Sequence, residues 1–386
     1  MLILSSSLIF IVQVLTEDLN LYVHHDIALP EFPLCLAWMD CPPFQQDGGQ
    51  NTIGSYIAVG TFNPAIEIWN LDVLDPLEPS ATLGGPDLSK KKKSKKGSDP
   101  DLKVGSHEGA VMGLSANKVY RQFLASGSAD NSVKIWDVTQ QTCSHTFVHH
   151  KDKVQSVQWH PLESWLLASG SFDKTIALLD CRSASQSASY KISADIESMT
   201  WDPFSPFHLY CSLENGIVTC IDCRNTKKPL FTFQAHDETT SSISFSSSVP
   251  GMFATASIDQ SVKVWDALGS SQNGSTPKLV AYKTLNVGKL FAMSYYSSDP
   301  FTLAAGGDAG MVFVWESDEQ EAIAKHFSGR VTTNTTTNSN AEDNNNGQSS
   351  SSVEIQKDDS WMDEAMETDG NNKDKKKNKK DSKKKK

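Results

Sequence analysis

The chain has 386 residues, of which 38% are apolar and 21% charged, and its formal net charge is −11. This length fits one large all-β domain or two average domains. No apolar run approaches the roughly 20 residues that a membrane-spanning helix needs. The seven cysteines are odd in number and irregularly spaced, which favours reduced thiols over a disulfide framework.

The first 15 residues, MLILSSSLIFIVQVL, are apolar and invite comparison with a secretory signal peptide. They have no basic region at their start, and no small-residue cleavage site follows them before Thr16. We therefore expect a β-strand or an atypical start, and we treat residues 1–18 as a separate N-terminal segment.

A sequence unit recurs through the chain, and such repeats decide the fold before other arguments. Each unit has a strand of small residues, a turn of Asp, Asn or Gly, and a β-branched strand that often ends in Trp-Asp. The six equivalent end positions are Trp69, Trp136, Leu179, Ile221, Trp265 and Trp315. From Trp136 onward they lie 43, 42, 44 and 50 residues apart. The first gap of 67 residues contains the lysine run Lys90–Lys96.

The units resemble WD repeats, each of which contributes four strands to one blade of a β-propeller. The resemblance implies an all-β fold with six recognisable blades, in a domain over residues 19–327 with a lysine-rich insert at 84–104. The blades are predicted at 34–83, 110–147, 154–191, 196–233, 242–283 and 291–327. Asn20–Asp26 resembles the closing strand of an earlier blade, so a seventh blade is expected to be only partly present. We expect either an N-terminally shortened protein or a strained six-blade ring.

The WD-repeat resemblance also assigns a structural role to groups of His, Ser or Thr, Asp and Trp. The predicted tetrads are His107, Ser126, Asp130 and Trp136 in the second blade, and His236, Thr255, Asp259 and Trp265 in the fifth. The third blade has His150, Ser169 and Asp173, with Leu179 in place of Trp. A Ser, a His and an Asp together also suggest a catalytic triad, but recurrence at blade spacing favours the structural role. We predict no catalytic, cofactor-binding or metal-binding residue and no enzyme activity; Cys220 and Cys223 alone supply only two of about four zinc ligands.

Residues 328–386 form a predicted disordered tail, first rich in Thr, Asn and Ser, then acidic, then lysine-rich. The two basic runs are Lys90, Lys91, Lys92, Lys93, Lys95 and Lys96, and a C-terminal run that ends in Lys383, Lys384, Lys385 and Lys386. Without Lys90–Lys96 and Lys373–Lys386, 19 basic and 44 acidic side chains remain, a net charge of −25. An acidic body attracts basic partners, whereas the lysine runs suit nuclear import, contact with nucleic acid, or a solvated tail.

Several stretches resemble the periodic tryptophan protein family over about residues 19–316. They include Tyr22–Ile27, Ile66–Val73, His150–His160 and Gly170–Lys174, together with the position of the lysine insert. The resemblance implies a scaffold of the nucleus and nucleolus that acts in ribosome biogenesis, notably in large-subunit rRNA processing. It implies basic protein partners such as ribosomal proteins, assembly factors or histones, with indirect pre-rRNA association through particles. No membrane and no small-molecule substrate are expected.

Two alternatives remain open. A chromatin or histone-binding regulator of ribosomal DNA transcription would need an aromatic cage for methylated lysine, and Trp38, Trp159, Trp165 and Trp201 are candidates unless they are core residues. A cullin ubiquitin-ligase substrate adaptor would use Asp-x-Arg motifs to dock. The candidate docking residues are Asp180, Arg182, Asp222 and Arg224, unless each Arg pairs within its own blade.

Overall fold

The computed structural model describes residues 2–5, 8–15, 20–44, 53–87, 101–183, 185–225, 228–270 and 276–332. Both lysine runs and the acidic part of the tail lie outside these residues. The described chain belongs to a compact unit that extends from Met1 to Thr332.

The N-terminal strands form a three-stranded antiparallel sheet of their own, in the order β1-β2-β3. Its strands are β1 (Leu2–Ser5), β2 (Leu8–Leu15) and β3 (Asn20–Ala28). An apolar stretch without a helical period is therefore a pair of strands and not a helix.

Five four-stranded antiparallel sheets follow, and each uses four consecutive strands in chain order. The first and second blades contain β4 (Pro33–Met39), β5 (Tyr56–Thr61), β6 (Ala65–Asn70), β7 (Ala81–Gly84), β8 (Val111–Ala116), β9 (Phe123–Ser128), β10 (Val133–Asp137) and β11 (Thr142–Phe147). The third and fourth contain β12 (Val154–Trp159), β13 (Leu166–Ser171), β14 (Thr175–Asp180), β15 (Ser185–Lys191), β16 (Ile196–Asp202), β17 (Ser205–Leu213), β18 (Ile217–Asp222) and β19 (Phe231–Gln234). The fifth contains β20 (Thr240–Phe245), β21 (Met252–Ser257), β22 (Ser261–Asp266) and β23 (Lys278–Thr284).

The sixth blade has three described strands, β24 (Leu290–Tyr295), β25 (Thr302–Gly307) and β26 (Val312–Glu316). A 3-10 turn at Ser317–Glu319 and a short helix, α1 (Glu321–Phe327), then replace the fourth strand that the repeat pattern predicts. Ile323 and Phe327, four residues apart, share one face of α1 and are fully buried. This apolar pair explains why the segment docks as a helix against the core of the last two blades.

The six inner strands lie side by side around the ring, because β4, β8, β12, β16, β20 and β24 each contact the next in this order. All six carry a register shift after their first residue. Such bulges increase the local twist of a strand. The buried aliphatic and aromatic residues form clusters that join neighbouring blades, as expected for sheets covered on both faces.

The N-terminal sheet borders both ends of the six-blade array. Its first strand lies beside β25 of the last blade. Ile27 and Leu29, at the end of its third strand, pack against Ile57 and Trp69 of the first blade. The prediction of an all-β propeller with six blades and one incomplete sheet is therefore confirmed. The described part of the chain holds no helix with the length and apolar character to cross a membrane.

Candidate functional site

The second blade brings His107, Ser126, Asp130 and Trp136 together. His107 precedes β8, Ser126 lies in β9, Asp130 in the β9–β10 turn, and Trp136 in β10. His107 Nδ1 is 2.9 Å from Asp130 Oδ2, and His107 Nε2 is 2.7 Å from Ser126 Oγ. The Trp136 indole donates to the same Ser126 oxygen at 2.9 Å. Four positions spread over 30 residues therefore form one hydrogen-bonded chain within a blade.

The fifth blade repeats this geometry with a threonine. His236 lies 2.9 Å from Asp259 and 2.8 Å from the Thr255 hydroxyl, which accepts the Trp265 indole N–H at 2.9 Å. In the third blade His150 contacts Asp173 at 3.0 Å and Ser169 at 2.9 Å, while fully buried Leu179 fills the place of the indole. The three groups stand in three separate blades and do not converge on one cleft.

Burial and hydrogen bonding explain the protonation of these groups. Burial lowers the pKa of His107, and the hydrogen bond and charge of Asp130 only partly oppose that shift. Burial also disfavours the Asp130 carboxylate, but hydrogen bonds from His107 and Ser132 outweigh it and hold the pKa of Asp130 well below its ordinary value. A neutral imidazole thus donates to a carboxylate, which can only accept.

This arrangement is unsuited to nucleophilic catalysis. His107 and Ser126 are fully buried, and the Ser126 oxygen already bonds to both the imidazole and the Trp136 indole. A nucleophile must reach a substrate as well as its base. The geometry therefore fixes the turn and two strands in each of these three blades, and it offers no exposed reactive atom.

The first and sixth blades depart from the pattern. In the first blade the Trp69 indole donates to Glu67 Oε2 at 3.0 Å, a contact that the repeat pattern did not indicate. In the sixth blade Trp315 is buried, but its Nε1 has no partner within the described residues. Ala305, in the register position of Ser126, has no oxygen to offer this indole.

The four candidate docking residues lie where third strands end, on the face opposite the histidines. Arg182 Nη2 is 2.9 Å from Asp180, and Arg224 Nη2 is 2.8 Å from Asp222. Each Asp also accepts the backbone N–H of its own Arg. About half of each arginine side chain is exposed, at 55% for Arg182 and 47% for Arg224. Each Arg is thus paired within its own blade and also faces solvent.

The four candidate cage tryptophans are not gathered together. Trp159 and Trp201 are buried, and their indoles donate to the carbonyls of Ser115 at 3.0 Å and Gln158 at 3.4 Å, in the preceding blades. Trp165 packs on the Tyr120 ring, with the centroids 4.4 Å apart. Trp38 is exposed and donates to Ser55. Blade packing accounts for three of these side chains.

The cysteines are all free, and Cys211, Cys220 and Cys223 are buried. Burial raises the pKa of Cys223 to about 12 and that of Cys220 well above its usual value. Within the described residues, no three His, Cys, Asp or Glu side chains are close enough together to hold a metal ion.

The histidine face, which we define as the loops that lead from one blade into the inner strand of the next, carries exposed side chains of both charges, and Lys103, Lys151, Lys153 and Lys289 are among the basic ones. Glu108, Asp152, Asp237 and Glu238 are exposed in three of these loops. At the start of the fourth blade, burial and the charges of Glu214 and Asp195 raise the pKa of Glu197 to about 6. Sequence reasoning missed this shared location, although the acidic balance of the chain indicated the charge. The acidic side chains of the histidine face are candidate contacts for basic partners.

Comparison with known proteins gives two family matches. The model for the WD domain, G-beta repeat, matches residues 100–137, and that for the WD40 domain of the E3 ubiquitin-protein ligase RFWD3 matches 133–256.

Several full-length relatives are also similar. An uncharacterized WD repeat-containing protein of Schizosaccharomyces pombe is 40% identical over 82% of the chain and 60% of its own length. Periodic tryptophan protein 1 of Saccharomyces cerevisiae is 32% identical over 82% of the chain and 57% of its own length. Its Drosophila melanogaster homologue is 32% identical over 76% and 60%. The chain thus spans about 60% of the length of these relatives.

Proposed function

The chain belongs to the WD-repeat family, and we propose that it is a non-catalytic scaffold that holds other proteins together during ribosome biogenesis. The observation that carries this proposal is the use of the His–Ser–Asp groups. Their polar atoms are committed to bonds within three separate blades. What the ring offers to other molecules is its surface.

The similarity to periodic tryptophan protein 1 supports the nuclear setting, and the resemblance described above implies the nucleolus and large-subunit rRNA processing. Ribosomal proteins and assembly factors are basic, and they would contact the acidic side chains of the histidine face. Association with pre-rRNA would then be indirect, through proteins of the particle. The lysine runs would serve nuclear import.

A charge-reversal variant tests the partner surface. The variant E108K/D152K/D237K/E238K reverses four exposed charges on the histidine face. The control D75K/E78K/D318K/E319K changes as many exposed acidic residues at the opposite loops. Each tagged full chain replaces the native protein in its own cells. Co-sedimentation with large-subunit precursors and the level of precursor rRNA are then measured.

The first variant is expected to leave the precursor particles and to let precursor rRNA accumulate, while the control behaves like the native chain. If both variants sediment with the particles and rRNA matures normally, the histidine face is not the partner surface. If removal of the protein leaves precursor rRNA unchanged, ribosome biogenesis itself is the wrong setting.

Histone binding is the second candidate function. The chain is 27% identical over 54% of its length to a relative named histone acetyltransferase type B subunit 2, from Debaryomyces hansenii. Basic histone tails suit the same acidic side chains. Binding of the native chain to histone-tail peptides, with loss in the first charge variant, would favour this role over ribosome assembly.

Docking to a cullin ligase adaptor would involve the opposite face. The substitutions Arg182→Ala and Arg224→Ala leave the histidine face intact. If the chain acts as a substrate adaptor, these changes abolish adaptor pull-down while co-sedimentation with precursor particles is unaffected.

A further inference from the structure

Three consecutive blades build the same turn between their first and second strands, on the face opposite the histidines. A buried polar residue stands at the end of each inner strand: Asn117 in the second blade, His160 in the third and Asp202 in the fourth. A side-chain atom of each accepts the backbone N–H groups of the second and third residues further on, at 2.8 to 3.2 Å. One buried acceptor therefore holds the backbone of each turn in place.

The second residue after each acceptor is a large apolar residue that faces solvent. Val119 is 59% exposed, Leu162 56% and Phe204 37%. Exposed apolar residues are ordinary when they are scattered singly, but these three hold one turn position in three neighbouring blades. We call Val119, Leu162 and Phe204 the apolar arc. Each of its side chains stands on a turn whose backbone is already fixed.

Contacts between neighbouring turns join the arc into one surface. The Asn117 amide donates to the Ser164 carbonyl at 2.7 Å, which ties the second blade to the third. The His160 ring lies 5.7 Å from the Phe207 ring, centre to centre, which ties the third blade to the fourth. The Arg224 guanidinium lies over the same Phe207 ring, 4.5 Å from its centre, and so borders the arc. A surface that is held in this way loses little conformational freedom when a partner binds.

The arc has a basic rim. Among the described residues of the loops on this face of the second to fourth blades, the exposed charged side chains are Lys118, Arg182, Arg224 and Lys228. The acidic side chains of these loops are buried or half-buried, and two of them, Asp180 and Asp222, pair with the arginines. A partner that covers the arc therefore meets the arginine ends of these pairs first, and a partner with carboxylates fits this rim.

The aliphatic character of the arc favours a protein partner over a nucleic acid. Bases stack on the faces of aromatic rings, and Val119 and Leu162 have no ring. Burial of aliphatic side chains against other apolar side chains is favourable in water, and a protein segment supplies such side chains.

We propose that the apolar arc binds a segment of another protein in which apolar side chains are interspersed with aspartates or glutamates. The apolar side chains cover Val119, Leu162 and Phe204, and the carboxylates meet the basic rim. This partner differs in charge from the basic proteins proposed above for the acidic side chains of the histidine face. The ring then holds two classes of protein on opposite faces, and the arc can be tested without reference to ribosome biogenesis.

Peptide selection on the full chain tests the chemistry of the partner. Random peptides displayed on phage are first depleted on the variant V119S/L162S/F204S, which removes every peptide that binds elsewhere, and are then selected on the native chain. We expect recovered sequences that combine Leu, Ile or Phe with Asp or Glu. Recovery of no peptide, or of peptides that are neutral or basic, would overturn the proposal.

A second variant controls for general loss of apolar surface. V73S/L74S/L77S removes as many exposed apolar side chains from a loop of the first blade. All six positions are exposed, so both variants should unfold at the same temperature as the native chain. The recovered peptides should bind this control as tightly as they bind the native chain. Equal loss of binding in the control and in the arc variant would contradict a specific site.

Two further measurements separate the roles of charge and of nucleic acid. Replacement of Asp and Glu by Asn and Gln in a recovered peptide should weaken its binding to the native chain about fivefold, because the contacts with the rim are lost. Unchanged affinity would remove the basic rim from the site. A uridine oligonucleotide that binds the native chain and not the arc variant, and that displaces the peptides, would assign the arc to RNA and overturn the proposal.

Discussion

Arg330 donates two hydrogen bonds to the buried carboxylate of Asp266, at 2.7 Å and 3.0 Å, across 64 residues of sequence. Asp266 ends the third strand of the fifth blade, as Asp180 does in the third blade. There the partner is Arg182, only two residues further on. The fifth blade has Leu268 at that position, and its arginine arrives instead from the segment after α1. This ion pair thereby holds the segment after α1 against the fifth blade.

Removal of this arginine should destabilise the ring strongly. Asp266 is fully buried, and in Arg330→Leu its carboxylate would keep His326, at 2.8 Å, and the Leu268 N–H, at 2.9 Å, but would lose its arginine. Loss of one partner of a buried ion pair costs about 3 kcal/mol. Denaturant unfolding should show a decrease of that order in the free energy of unfolding.

Arg182→Leu is the matched control for that experiment. Its guanidinium pairs with an equivalent Asp, but 55% of the side chain is exposed. Exposed pairs contribute below about 1 kcal/mol. If Arg330→Leu lowers the free energy of unfolding no more than Arg182→Leu does, the contact with Asp266 does not contribute strongly to stability.

His160 should make stability fall in mild acid. Burial lowers the pKa of His160 from 6.5 to about 4. Its Nδ1 accepts the backbone N–H groups of Leu162 and Glu163, so the folded chain keeps the ring neutral. Between pH 6.5 and about 4 the unfolded chain binds a proton at this histidine and the folded chain does not. The neutral ring therefore makes its full contribution to the free energy of unfolding above pH 6.5. At pH 5 about 2 kcal/mol of that contribution is lost.

His160→Asn removes this titration while it keeps the local hydrogen bonds. Asn117 stands at the equivalent place in the second blade, and its Oδ1 accepts two backbone N–H groups in the same way. The free energy of unfolding, measured from pH 7 to pH 5, should fall less for the variant by about 2 kcal/mol. If the free energy of unfolding falls equally in the two proteins between pH 7 and pH 5, His160 is not the group responsible.

A single hydroxyl should stabilise the sixth blade. The Trp315 indole is buried and finds no acceptor among the residues that the structure describes, whereas Trp136 and Trp265 donate to hydroxyls at 2.9 Å. Ala305→Ser puts a hydroxyl at the same register position and should raise the free energy of unfolding by about 1 kcal/mol.

Ala304→Ser is its control, since the neighbouring side chain points to the other face of the strand. This change places a hydroxyl out of reach of the indole and should give no gain. Thermal or denaturant unfolding of the two variants measures this difference in stability. A loss of stability in Ala305→Ser would show that the site has no room for the oxygen.

The repeat pattern predicted the blades closely because each one is a local unit. The second blade was expected at 110–147 and runs from Val111 to Phe147, and the third was expected at 154–191 and runs from Val154 to Lys191. Turn residues, strand alternation and the terminal Trp-Asp all lie within about 40 residues, so their spacing alone defines the sheet. The His–Ser–Asp–Trp contacts were expected from the resemblance to WD repeats, whose positions this spacing aligns.

Contacts between distant parts of the chain were not predictable in this way. Helix α1 lies outside the repeat, and nothing in the spacing of Asp266 and Arg330 indicates that they meet. The burial of Trp159 and Trp201 depends on a carbonyl in the preceding blade, which only the curvature of the ring brings near. Trp38 holds the equivalent position in the first blade, but the sheet before it is the incomplete N-terminal one. For this reason Trp38 stays exposed while Trp159 and Trp201 are buried.

Asp130→Asn separates a structural tetrad from a binding site. The Asp130 carboxylate accepts hydrogen bonds from His107, from the Glu108 N–H and from Ser132. An amide has one oxygen, so its NH2 group must face one set of these donors. A buried donor without an acceptor costs about 1–3 kcal/mol, and we expect a loss of that size in the free energy of unfolding.

Asp152→Asn gives the comparison, because its exposed carboxylate accepts only the neighbouring Lys153 N–H among the contacts described. It should leave stability unchanged. If the tetrad is structural, Asp130→Asn lowers stability but still binds the precursor particles at temperatures where it is folded. If Asp130→Asn keeps full stability but no longer binds the particles, Asp130 belongs to a partner site instead. Replacement of a residue that stabilises its blade must lower the stability of that blade.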